Sequence, residues 1–318
     1  MLVRFWGTRG SIPVALTSAD IRRKIDAALS LAIAKGVNSP DKVRSFVDND
    51  LDFSISQTYG GHSACVEIET GRAEYLVCDM GSGARAFGAR IMSARNSGPI
   101  VVNVLMSHVH WDHIMGFPFF TPAYVPGARI RIFGCHDMIE KAFRLQQSAP
   151  CFPVVFSRLS ADIEFIKLEA GKAVDIAGFR VTPKLQRHTG DSYGYRFERD
   201  GKAVVYSTDS EHKLEDPSET EAFVAFFRNA DLVIFDAMYS LLDAVSVKED
   251  WGHSSNIVGV ELAQLAKVKH LCMFHHEPAF NDERIQSVLN ETLRFEKLTR
   301  GGQPLRVSAA YDGMELDV

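Results

Sequence analysis

The sequence predicts an α/β layered fold, with sheets inside and helices packed outside. Three observations lead there. Short β-rich runs alternate with turn residues, amphipathic helical patterns fall between and after them, and a cluster of histidines and acids ends one of the most apolar runs.

The strand runs come in order. LVRFWG opens the chain, followed by ACVEIET near residue 65, EYLVCDM near 75 and IVVNVLM near 101. ARIRIFG, DIEFIKL, FRVTPKL, YGYRFER and AVVYSTD come next, then DLVIFDA and HLCMFH. SSNIVGVELAQLAKV and NDERIQSVLNETLRFEKL have helical periodicity, and in the second Ile285, Val288, Leu289 and Phe295 lie near one face.

Residues 17–53 stand apart as a helical hairpin inserted between the first two strands. Ser18 is placed to cap a helix in which Ile21, Ile25, Leu29 and Ile33 recur every four residues, with Gly36 at its end. Ser39-Pro40 opens a second helix with Val43, Phe46 and Val47 on one side. A packing element or dimer contact is the expected role. The chain, 1–318, is read as a single domain.

Composition narrows the class. With 46% hydrophobic and 24% charged residues, this is the profile of a soluble globular protein. A net charge of -5 and the absence of a Lys/Arg run argue against a partner such as extended nucleic acid, where phosphate neutralisation dominates affinity. A small anionic substrate stays open. The start, MLVRFWGTRG, lacks the apolar core of a signal peptide, and no stretch approaches the ~20 apolar residues that span a bilayer. Five scattered cysteines, never in CxxC spacing, read as small buried hydrophobes in a reducing compartment, so a cytoplasmic location is expected.

The chemistry concentrates in LMSHVHWDHIMGF. His108 and His110 are two apart, so in an extended segment both side chains point to one side. Asp112 and His113 follow in a loop expected to lead into a helix at IMGFPFF. Imidazole and carboxylate gathered at a strand end suit a divalent metal such as zinc.

HVHWDH resembles the signature of the metallo-β-lactamase superfamily, whose fold is an αββα sandwich with metals at one edge of the sheets. The superfamily's later ligands are matched in order by His188 in LQRHTGDSYGYRF, Asp209 in VVYSTDSE and His275 in HLCMFHHEP. The resemblance implies two divalent ions, zinc with manganese or iron as alternatives. His108, His110, His188 and Asp209 would hold one, and Asp112, His113, Asp209 and His275 the other, Asp209 bridging. His276 competes with His275 for the last position. Asp79 in LVCDMGSGAR resembles the segment that supports the metals by orienting an imidazole. His62 is read as structural.

Within the superfamily, Trp251-Gly252-His253-Ser254-Ser255 resembles the Gly-His-Ser-Thr segment of ribonuclease Z and related phosphodiesterases. RFWGTRGSIP, YGGHSACVEI and FHHEP resemble bacterial hydrolases linked to cyclic-nucleotide phosphodiesterase chemistry. The implied function is metal-dependent hydrolysis of a small, cyclic-nucleotide-like phosphodiester. Asp112 helps hold the metals, His253 protonates the leaving oxygen, and Asp236 in DLVIFDAMY keeps that imidazole charged. The alternative is hydrolysis of a carboxylic ester, thioester or lactone. The Gly- and Lys-rich arm that ribonuclease Z uses to grip transfer RNA has no counterpart. Phe119, Phe120, Tyr124, Phe152 and Phe156 are candidates for a pocket wall or for core. A homodimer is implied by the resemblance alone.

Overall fold

A computed structural model describes residues 1–94, 98–212, 216–240 and 252–318. The first sheet contains β1 (Leu2–Gly7), β2 (Cys65–Ile68), β3 (Tyr75–Cys78), β4 (Val101–Leu105), β5 (Arg129–Gly134) and β6 (Asp162–Lys167), with β14 (Glu315–Asp317) on the outer side of β1. The second contains β7 (Val174–Ile176), β8 (Phe179–Gln186), β9 (Ser192–Arg199), β10 (Lys202–Ser207), β11 (Leu232–Asp236), β12 (His270–Phe274) and β13 (Arg306–Ala309), in spatial order 13-12-11-10-9-8-7.

The two sheets bury a shared layer. Val3, Phe5, Val66 and Leu76 of the first meet Phe179, Phe197, Tyr206 and Phe274 of the second. Each sheet also packs helices on its outer face. Phe87 of α4 (Ala84–Ala94) and Phe143 of α6 (Ile139–Gln146) cover the first. Phe223 of α7 (Pro217–Phe227), Val260 of α8 (Asn256–Leu265) and Ile285 of α9 (Asp282–Thr299) cover the second. This is the αββα sandwich. Among the described residues no helix is long and apolar enough to cross a membrane.

Strands β3 to β6 are mutually parallel, as are β10 to β13. Parallel strands finish at one edge, so the loops after β3, β4, β10, β11 and β12 can meet there. Every strand run named from the sequence forms a strand. The three that were missed, β7, β13 and β14, lie at sheet edges and are only 3, 4 and 3 residues long, too short to show alternation, whereas the edge strand β6 has 6 residues and was readable.

Local corrections have identifiable causes. Thr17, not Ser18, caps α1 (Ser18–Ala34), because its hydroxyl accepts from Asp20 N while Asp20 Oδ2 accepts from Thr17 N at 2.8 Å. The helix expected at IMGFPFF starts earlier, as the single turn α5 (Trp111–Ile114). Gly116 and Pro118 then confine the chain to one 3-10 turn at Phe117–Phe119. Between β1 and β2 come α1, α2 (Pro40–Asn49) and the short α3 (Phe53–Ser56). In α1 the Ile/Leu stripe is not buried: Ile21, Ile25, Leu29 and Ile33 are 45–81% exposed. Helix α1 leans mainly on α3, which in turn leans on α9. The five cysteines are all free, yet Cys151 is exposed and Cys135 half-buried, so only Cys65, Cys78 and Cys272 are the buried hydrophobes expected.

Candidate metal centre

Each group of the site leaves a strand at the shared edge. Asp79 follows β3, His108 and His110 follow β4, and α5 carries Asp112 and His113. His188 follows β8, Asp209 follows β10, Asp236 ends β11 and His275 follows β12. Asp79, Asp209 and His275 have φ of 59°, 46° and 60°. Left-handed backbone is uncommon outside glycine and clusters at functional sites, since it turns the chain sharply within one residue.

Seven of these side chains converge in two groups. In the first, His188 Nε2 lies 3.0 Å from His110 Nδ1, and Asp209 Oδ2 lies 3.7 Å from both His108 Nε2 and His188 Nε2. In the second, His113 Nε2 is 3.1 Å from Asp112 Oδ2 and 3.1 Å from Asp209 Oδ1. His275 Nε2 completes that group, 3.2 Å from Asp209 Oδ1 and 3.4 Å from Asp112 Oδ2. Asp209 therefore turns one oxygen to each group. Ligands about 2.0–2.2 Å from a tetrahedral zinc stand roughly 3.3–3.5 Å apart, so the second group has the spacing of a first coordination shell.

Unsatisfied polar atoms give the same answer. His108 Nε2, His113 Nε2, His275 Nε2 and Asp112 Oδ2 are buried without a hydrogen-bond partner. Three of them belong to the second group and His108 to the first, and such buried atoms are costly unless cations take their lone pairs. Burial lowers the pKa of His108, His110 and His188, so all three are neutral imidazoles suited to coordination. His113 behaves differently. Burial opposes its charge, but Asp209, Asp112 and Asp79 outweigh that and push its pKa well up. The site without a cation draws a proton in its place.

The opposite ring atoms of His113 and His188 are anchored. Asp79 Oδ2 accepts from His113 Nδ1 at 2.8 Å, from Ser107 Oγ at 2.7 Å and from the Tyr206 hydroxyl at 2.7 Å, while Oδ1 accepts from Ser107 N at 2.8 Å. His188 Nδ1 donates to the Gly252 carbonyl at 2.8 Å. Each anchor leaves Nε2 free to face the centre. His276 points away, its Nε2 donating to the Ala310 carbonyl at 2.8 Å. His62 sits outside both groups, against Ser82 Oγ at 3.2 Å. Gly10 of the GTRG segment passes so close that a Cβ there would lie 2.6 Å from the His275 ring. Ser107, Tyr206 and Gly10 were not read as site residues; Ser107 precedes His108 directly, which was the one available signal.

A dyad borders the clusters. Asp236 Oδ2 accepts from His253 Nδ1 at 2.8 Å, and Asp236 is fixed by Ser210 N and Met238 N. Burial works against the His253 charge, but Asp236 overcomes it and holds the pKa at about 9. The His253 ring centroid is 5.1 Å from those of His188 and His275. Ser255 caps α8, leaving His253 free of that task. Trp251 lies outside the described residues. Of the aromatic candidates, Phe120 and Phe156 are core, whereas Phe119 is exposed and meets Phe152 edge to face at 5.6 Å.

The family model for the β-lactamase superfamily domain matches residues 76–276, a span that includes both histidine groups. The chain belongs to the metallo-β-lactamase superfamily. Within the superfamily it is similar to ribonuclease Z of Oceanobacillus iheyensis, 20% identical over 241 residues covering 60% of this chain and 76% of the relative. Among solved structures it resembles the metallo-β-lactamase fold protein YhfI from Bacillus subtilis, with a TM-score of 0.63, 16% identity and 99% of both chains covered. It also resembles a diphosphatase of the PhnP family, with a TM-score of 0.61, 18% identity and 100% and 97% coverage. At those identities the two structures share the fold. The ribonuclease relatives give no support to the expectation that extended nucleic acid is excluded.

Proposed function

We propose that the protein is a phosphodiesterase that uses two divalent metal ions, zinc by donor chemistry, to hydrolyse a small nucleotide phosphodiester. His108, His110 and His188 would hold one ion, Asp112, His113 and His275 the other, with Asp209 shared. Bound there, the ions supply Lewis acidity and lower the pKa of a water toward neutrality.

The observation that carries the reading is the His253–Asp236 dyad beside the clusters. With Nδ1 committed to Asp236 and the pKa near 9, His253 keeps its Nε2 proton at neutral pH. Nε2 then donates that proton to the departing oxygen, which Asp236 makes possible by balancing the imidazolium. Phosphodiester cleavage with an alkoxide leaving group needs such an acid. An ester or lactone hydrolase with the same clusters needs it less, which sets the phosphodiester reading ahead.

The partner in solution is proposed to be a second copy. The Ile21, Ile25, Leu29 and Ile33 ridge is 45–81% exposed along one side of α1, a contiguous apolar patch of the kind that marks an interaction surface. A ridge of residues four apart packs against its own symmetry mate at a defined crossing angle.

The test of the reaction is hydrolysis of 2′,3′- and 3′,5′-cyclic nucleotides and of bis(p-nitrophenyl) phosphate by the metal-loaded protein, beside His253→Ala. Turnover should fall by about 10²–10⁴ on the cyclic substrates in the variant. The loss should be smaller for the p-nitrophenyl ester, whose leaving group departs unaided. Absence of turnover on every diester with two metals bound would overturn the proposal.

A further inference from the structure

Trp111 stands in the chain between His110 and Asp112, one from each cluster, as the first residue of α5. Its side chain is 63% exposed. The core beneath is already filled by Phe117, Phe120, Phe143 and Phe156, so packing does not require an indole here. Trp6 shows the ordinary arrangement in the same molecule: its Nε1–H donates to Glu67 at 3.1 Å, and its ring meets Phe87 at 6.1 Å. Among the described residues Trp111 has neither a ring neighbour nor an acceptor.

His110, beside it, is the exposed member of its cluster, while His108 is buried and His188 half-buried. The exposed member of that cluster is therefore the one directly followed in the chain by the exposed indole. A phosphodiester reaching His110 from solvent arrives one residue away from a large, exposed aromatic ring. Stacking suits any nucleobase, because every base has a π-face. The ion pairs within the site are all His–Asp and grip charge, whereas an exposed indole without a ring partner can grip a neutral substituent.

We propose that Trp111 is the stacking platform for the nucleobase of the substrate, a specificity-determining binding residue. The inference rests on the phosphodiesterase reading and names its substrate class: nucleoside phosphodiesters rather than simple alkyl ones.

The experiment compares the p-nitrophenyl ester of thymidine 5′-monophosphate with methyl p-nitrophenyl phosphate, using metal-loaded wild type, Trp111→Ala and Trp111→Phe. Both substrates release the same phenolate and differ in the nucleoside. The ratio of their kcat/KM values should fall about tenfold in Trp111→Ala, mainly through KM, and recover to within a few-fold in Trp111→Phe. Calorimetry with thymidine 5′-monophosphate and with inorganic phosphate gives a second readout. The nucleotide Kd should weaken about tenfold relative to phosphate in Trp111→Ala. An unchanged ratio, or equal loss on both substrates as a structural role would give, overturns the inference. If wild type hydrolyses neither substrate, the phosphodiesterase reading falls by itself. The nucleotide Kd then decides Trp111 separately, and equal values for wild type and Trp111→Ala, or no binding to wild type, overturn it.

Discussion

His113 is gripped from both sides, its Nε2 facing Asp112 and Asp209 and its Nδ1 bonded to Asp79. Asp79 is buried and takes four hydrogen bonds from three side chains and one backbone amide, which leaves it no freedom to swing away. Asp79→Asn keeps the shape but removes the charge that fixes the imidazole. Its metal affinity should fall about 10–100-fold, measured by competition with a chromophoric chelator. Affinity equal to wild type would contradict the role assigned to Asp79. At this scale HVHWDH was legible from the sequence because its spacing is local. His188 and Asp209, seen singly, look like a turn histidine and a helix cap, and only their order after successive strands singled them out. The Tyr206 bond to Asp79 spans 127 positions, and nothing in the local sequence could announce it.

The β12–β13 pair shows what burial costs an element. His270 opens β12 opposite Arg306 of β13, with Nε2 2.7 Å from Ser308 Oγ. Burial, helped by Arg306, lowers the His270 pKa to about 4. The unfolded chain, with a histidine pKa near 6.5, binds more protons between about 4 and 6.5. Stability is therefore full above about 6.5 and declines as pH falls toward 4, by up to about 3 kcal/mol from this group. The Tm of the metal-free protein should drop over that range, and His270→Gln should flatten the slope; identical slopes would contradict it. Elements were legible where a run was long enough to show its apolar pattern, as in the six-residue edge strand β6, which has no buried residue. Central strands such as LVIFD of β11, buried throughout, were readable as continuous apolar runs. The edge strands β7, β13 and β14 were not. The stripe of α1 was read correctly as helical, but helical periodicity alone does not say whether an apolar face meets the body or solvent.

Across the whole molecule, two sheets with parallel strands ending at one edge bring residues from 79 to 275 into one site. The exposed α1 ridge sits on the segment inserted between β1 and β2 and carries none of the site residues itself. Sedimentation velocity should show a dimer for wild type and a monomer for Ile25→Asp, with metal content unchanged. A wild-type monomer would contradict the proposed pairing. The fold was legible from strand order and the ligand sequence together. Which aromatics form core and which reach the surface was not, because Phe119 and Phe120 are neighbours in sequence with opposite burial. Two sets of donors meet at Asp209. Metal stoichiometry by plasma mass spectrometry tests it most directly, on wild type, His110→Ala, His275→Ala and Asp209→Ala. Two ions per chain in wild type, close to one in each histidine variant and weakened retention of both in Asp209→Ala are the expected result. A single ion in wild type, or histidine variants that each keep two, would contradict it.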